Sequence, residues 1–121
     1  MFIIDQFCRR FEERDAAAFA EMFTDEAVYV DSLYGAFRGR EAIREFHRRC
    51  HEEAAEMTFI PVRKAVGSGG LYAFEWSFTF KSLSPRCKGK TVSLMGAGFL
   101  MLENGRITSY HEYADSMVIL L

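Results

Sequence analysis

Phe74-Glu75-Trp76-Ser77-Phe78-Thr79-Phe80 alternates aromatic and polar side chains, the two-residue period that turns successive side chains to opposite faces of a strand. Phe74, Trp76, Phe78 and Phe80 therefore share one face, and Glu75, Ser77 and Thr79 the other. The same period holds from Met57 onward and predicts strands near 57–66, 71–81, 91–102 and 106–119. Gly67-Ser68-Gly69-Gly70 links the first two of these, Ser82 to Gly89 forms a longer loop around Pro85, and Asn104-Gly105 is a two-residue hairpin turn. In the last strand Tyr110, Glu112 and Ala114 oppose Ser109, His111 and Tyr113. If the aromatic row faces helices, it lines a deep apolar hollow.

Upstream of Met57 the period is helical. Ile4, Phe7, Cys8 and Phe11 recur at three- and four-residue spacing, which predicts an amphipathic helix to about Arg14. Asp15 caps a short second helix that turns Phe19, Met22 and Phe23 inward, and Thr24-Asp25-Glu26 ends it. Ala27-Val28-Tyr29-Val30-Asp31 reads as a strand, followed by a turn at Tyr34-Gly35. Gly39-Arg40-Glu41 opens a third helix whose apolar face is Ile43, Phe46, His47, Cys50 and Ala54, with Arg40, Arg44, Arg48 and Arg49 outward. Three helices followed by four strands, with one strand set among the helices, predict an α+β domain with an antiparallel sheet spanning residues 1–121.

The chain has 121 residues, half of them hydrophobic, enough for a single domain with a substantial core. Fifteen Lys and Arg against 17 Asp and Glu leave a formal charge of −2, which argues against nucleic acid or an anionic membrane as partner. Cys8, Cys50 and Cys87 contain no Cys-x-x-Cys pair and predict no disulfide framework, hence a reducing compartment, the cytoplasm. Met1-Phe2-Ile3-Ile4-Asp5 lacks the pattern of a signal peptide, and no stretch approaches the roughly 20 apolar residues of a membrane span.

The words Phe23-Thr24-Asp25-Glu26-Ala27-Val28-Tyr29-Val30-Asp31 and Gly39-Arg40-Glu41-Ala42-Ile43-Arg44-Glu45-Phe46, with the ending Gly105-Arg106-Ile107 through Tyr113-Ala114-Asp115, resemble the nuclear-transport-factor-2-like superfamily. Within it the chain looks most like the ketosteroid isomerase and SnoaL-like polyketide cyclase branch. The resemblance implies a cone in which a curved, mixed sheet wraps a long helix, with a pocket at the open end and a homodimer formed through the outer sheet face. It implies a cofactor-independent isomerase, cyclase or dehydratase acting next to a carbonyl of a small hydrophobic substrate, steroid- or polyketide-like. The alternative is a non-catalytic binding or dimerisation module of the same fold. In the steroid isomerases the base is a carboxylate at the end of the first strand, matched by Asp31, and the oxyanion donors stand where this chain has Phe7 and Ala97. A supporting tyrosine of that family corresponds to His47. The limonene epoxide hydrolases of the same superfamily would place a water-holding pair on Tyr29 and Asp31, a base on Glu112, and an arginine and an acid on Trp76 and Phe78.

Asp31 is therefore the candidate base, since a carboxylate among aromatics is costly unless wet, paired or tuned. It can equally be a strand-end residue bonded to the turn that follows. Glu112 is a candidate second acid, or half of a rim salt bridge. His47 and Tyr110 are candidate carbonyl donors, His47 being otherwise a satisfied core histidine. Phe7, Tyr29, Phe74, Trp76, Phe78 and Ala97 are the candidate substrate-binding positions. His47 and His51 stand four apart beside Cys50, but no third ligand has metal-like spacing, so neither a metal nor a cofactor is expected.

Overall fold

The computed structural model describes residues 2–115. The elements are α1 (Phe2–Glu12), α2 (Ala16–Ala20), β1 (Phe23–Asp31), β2 (Gly35–Arg38), α3 (Arg40–Glu53), β3 (Ala54–Val66), β4 (Leu71–Ser82), β5 (Thr91–Glu103) and β6 (Arg106–Ala114). The six strands form one curved, unclosed sheet in the order β2-β1-β6-β5-β4-β3. Every pairing is antiparallel except β1 with β6, which run parallel. The architecture is the α+β cone with three N-terminal helices that the sequence predicts. No helix among the described residues is long and apolar enough to cross a membrane.

Local chemistry accounts for most boundaries. Asp15 accepts the backbone N–H of Ala18 at 3.0 Å and caps α2. Gly39 precedes α3 with φ 89°, a conformation in which a Cβ is strained. Asn104 and Gly105, at φ 50° and 81°, close the β5–β6 hairpin.

Several boundaries differ from the sequence reading. Thr24-Asp25-Glu26 does not end α2, which stops at Ala20; these residues belong to β1, where the register with β6 shifts between Phe23 and Val28. The shift exposes the Phe23 carbonyl, and Arg40, expected to face solvent, folds back to donate to it from Nε and Nη2 at 3.1 and 2.6 Å while Nη1 reaches Asp25 at 2.8 Å. Ala54 is the first residue of β3 rather than the last of the helical face, so α3 runs directly into strand. The edge strand β2 has no counterpart in the sequence reading; four residues pairing only with β1 carry too short a pattern to read. The last strand ends at Ala114, and the stretch expected to continue it through 116–119 lies outside the described residues.

The core is largely aromatic. Phe7 is fully buried and packs against Phe19, Phe23, Phe59, Phe74 and Tyr110 at centroid separations of 4.5 to 6.4 Å. Burying a ring of this size contributes about 1.5–3 kcal/mol. Helix α3 presents two stripes: Ile43, His47 and His51 turn towards the first two helices, while Phe46, Cys50 and Glu53 turn towards the concave face of the sheet.

The α3 histidines close the end of α1. His47 Nε2 lies 3.3 and 3.2 Å from the carbonyls of Arg10 and Phe11, and His51 Nε2 lies 2.8 Å from the Phe11 carbonyl. Carbonyls in the last turn of a helix have no partner within it, so an N–H from either ring satisfies them. Burial, with the neighbouring His51 ring, pushes His47 down from 6.5 to about 4. The unfolded chain therefore takes up a proton between those values that the folded chain refuses, and stability falls as pH drops through that window. For a side chain only 1% exposed, the loss reaches about 3 kcal/mol at pH 4. Glu112, described below, works with the opposite sign. Urea unfolding of wild type and His47→Gln at pH 7 and pH 4 should isolate the histidine: wild type loses about 3 kcal/mol relative to the variant, and parallel behaviour of the two proteins would refute the assignment.

Candidate functional site

A cavity of about 660 Å³ opens between α3 and the concave face of the sheet. Phe46, Phe59, Trp76, Phe78 and Leu94 supply much of its wall, and Asp31 and Glu112 face it together. Their meeting follows from topology. β6 lies parallel beside β1 with Asp31 paired to Glu112, so the two side chains leave the sheet on the same side as neighbours.

Asp31 holds the turn that follows it and also borders the cavity. Its Oδ1 accepts the backbone N–H of Leu33 at 2.8 Å and of Tyr34 at 3.1 Å, fixing the turn into β2. Its carboxyl group also lies beside that of Glu112, its register partner on β6. Asp31 is 5% exposed and borders the cavity.

Glu112 is held well above the usual carboxylate range, first by burial, then by the adjacent Asp31 charge and the hydrogen bond to it. Tyr110 opposes this by donating its hydroxyl to Glu112 Oε1 at 2.9 Å. Burial and the Glu112 charge keep Tyr110 itself protonated. Tyr110 thus donates to one Glu112 oxygen, while the Asp31 carboxyl stands beside the same group. Glu112, held above the usual carboxylate range beside an apolar cavity, is the member of the pair placed to give a proton, and Asp31 the one placed to accept it.

The remaining sequence candidates separate into wall and support. Trp76 and Phe78 line the cavity, and Phe80 extends the same row towards its opening. Phe7, Tyr29 and Phe74 are buried in the core behind the wall. Tyr110 is fully buried and reaches the cavity only through Glu112. His47 is not brought to the acid pair; its Nε2 lies against the α1 carbonyls. Ala97 is placed on the outer face of the sheet, in register with Glu75 and Tyr113. The inward position opposite Glu112 is Gly98, because Leu94, Gly98 and Leu100 bury the other side of β5.

Sequence reading misses Tyr34, Met57 and Phe59 as wall residues. Phe59 is detectable, since Phe59 and Pro61 alternate with exposed Thr58 and Ile60. Tyr34 gives no periodic signal, because a turn delivers it.

Residues 4–110 match the SnoaL-like domain family. No curated protein matches the chain. Among solved structures, one described as a SnoaL-like polyketide cyclase from Shewanella putrefaciens CN-32 superposes with a TM-score of 0.83 at 18% identity, covering 97% of this chain and 90% of that one. A protein of ketosteroid isomerase-like fold from Catenulispora acidiphila DSM 44928, solved with trimethylamine, gives 0.82 at 18% identity over 92% of this chain and 83% of its own. SalBIII, an epoxide hydrolase/cyclase-like enzyme with a role in pyran ring formation in the polyether salinomycin, gives 0.81 at 23% identity over 95% and 89%. At these identities the likeness is one of fold.

Proposed function

The chain belongs to the SnoaL-like domain family, and from that premise we propose a cofactor-independent isomerase or cyclase that moves a proton next to a carbonyl in a small hydrophobic, steroid- or polyketide-like molecule. The observation that carries this reading is the Asp31–Glu112 pair at the wall of an aromatic cavity, with Glu112 held as the acid. In the proposed cycle the ligand's carbonyl oxygen takes over the Glu112 O–H, which frees the Asp31 carboxylate to accept the proton from the adjacent carbon. The enolate charge develops against the Glu112 donor; Asp31 then returns the proton to a different carbon, or the enolate carbon attacks a second carbonyl of the same ligand and Asp31 gives its proton to the alkoxide that forms. Apolar walls suit such a ligand, since each Å² removed from water contributes about 25 cal/mol.

The test uses 1-tetralone and related cyclic ketones in deuterium oxide, with loss of the signal from the proton next to the carbonyl followed by NMR. Exchange faster than in buffer supports the reading. A panel with no acceleration favours the module that binds without catalysis.

We further propose that the protein is a homodimer joined through the outer face of the sheet, in the cytoplasm. Met95, Phe99 and Tyr113 are exposed neighbours on β5 and β6, and exposed Ile60 of β3 lies in the same row as Met95 across Ser77 of β4. Cys8, Cys50 and Cys87 are free thiols, as a reducing compartment favours. Sedimentation equilibrium should give twice the chain mass for wild type and the chain mass for Met95→Glu/Phe99→Glu; a wild-type monomer would rule the dimer out.

A further inference from the structure

Trp76 is 2% exposed, and its indole N–H has no hydrogen-bond partner among the described residues. Buried donors are nearly always paired, because an unpaired N–H has lost its water without replacement. The position is also specific. Trp76 pairs across β4–β5 with Gly96, and a Cβ built on that glycine would stand 2.5 Å from Trp76 Cζ2 and 2.9 Å from Cε2, the atom bonded to the indole nitrogen. The nitrogen-bearing edge of the ring thus lies over Gly96 of β5, where the Tyr113 carbonyl of β6 also closes on that glycine. Gly96 in turn pairs with Ala114, which lines the cavity two residues from Glu112.

We propose that the Trp76 N–H is a hydrogen-bond donor to the oxygen of the cavity's ligand, a second donor beside Glu112. The ligand class is then an apolar ring compound carrying a carbonyl, and the cavity discriminates it from a hydrocarbon of the same shape. This deepens the proton-transfer reading and rests on it only for the identity of the site. A donor left unpaired by the protein also rejects ligands that cannot accept from it, since their binding leaves it buried and unsatisfied.

The test is separable from turnover. Trp76 is the only tryptophan, so its Hε1 gives a single indole resonance in a ¹⁵N–¹H spectrum. On titration with 1-tetralone that resonance should move downfield, whereas tetralin, which lacks the oxygen, should leave it in place. The same movement is expected in Asp31→Asn, so an inactive enzyme does not defeat the assignment. Wild type should prefer the ketone over the hydrocarbon roughly three- to tenfold, and Trp76→Phe, which keeps a ring but no N–H, should lose that preference. An Hε1 that 1-tetralone leaves unmoved, or a preference retained by Trp76→Phe, overturns the proposal and assigns the N–H to the face of Phe59, whose ring meets the indole edge-on at 5.6 Å.

Discussion

Asp31→Asn should remove proton exchange next to the carbonyl, by about 10²–10⁴-fold, while the protein melts at the same temperature or higher. The amide oxygen that the substitution leaves in place can still accept the Leu33 and Tyr34 N–H groups that hold the turn, so the fold has no reason to suffer. What disappears is the only group of the pair placed to accept a proton while Glu112 keeps its own. Removing a buried charge also removes the cost of keeping it from water, which is why stability is not expected to fall. Glu112→Gln sharpens the comparison. Its amide retains an N–H donor and an oxygen for Tyr110, so a smaller loss marks Glu112 as a hydrogen-bond donor, and an equal loss marks it as transferring its proton outright. Full exchange in Asp31→Asn would end the case for Asp31 as base.

Gly98→Ala should damage both the core and the site. A Cβ at this position would meet the Tyr110 hydroxyl and stand 2.7 Å from its Cε1, in a ring that is fully buried and cannot swing away. Overpacking of this kind costs about 1–3 kcal/mol, roughly 4–12 °C in melting temperature for a chain of this length. Tyr110 would be pushed off Glu112, which would lose that hydrogen-bond donor. Adding Tyr110→Phe should recover part of the stability without recovering exchange, because the clash eases while the hydroxyl is still gone. Calorimetry and the exchange assay read the two effects separately. A Gly98→Ala protein that melts like wild type would mean that the ring is not held as tightly as its surroundings imply.

The strong periods carry the architecture. Ile4, Phe7 and Phe11 at helical spacing and the alternation from Phe74 to Phe80 each mark a face, and those faces pack as the pattern predicts. Asp31 and Glu112 are legible as separate carboxylates in apolar surroundings. Their meeting is legible only through the family resemblance, because it depends on β6 returning parallel to β1 in a register that no local pattern encodes. Ala97 shows the same limit in another form. A one-residue difference along a strand reverses the face, and Gly98, which has no side chain to signal its orientation, holds the inward place. For His47 the local sequence signal is its apolar surroundings, which do not distinguish a cavity from the end of another helix.

The parallel pairing of β1 with β6 also fixes when the site can exist. Asp31 arrives with β1 and Glu112 with β6, so the cavity wall holding both cannot be complete until β6 has been made and has docked. Until β6 docks, β1 has only the four-residue β2 beside it, and its other edge is open to any strand that reaches it first. The reactive pair is therefore a late product of maturation, and its slowest step is expected to be the closure of a contact between distant parts of the sequence.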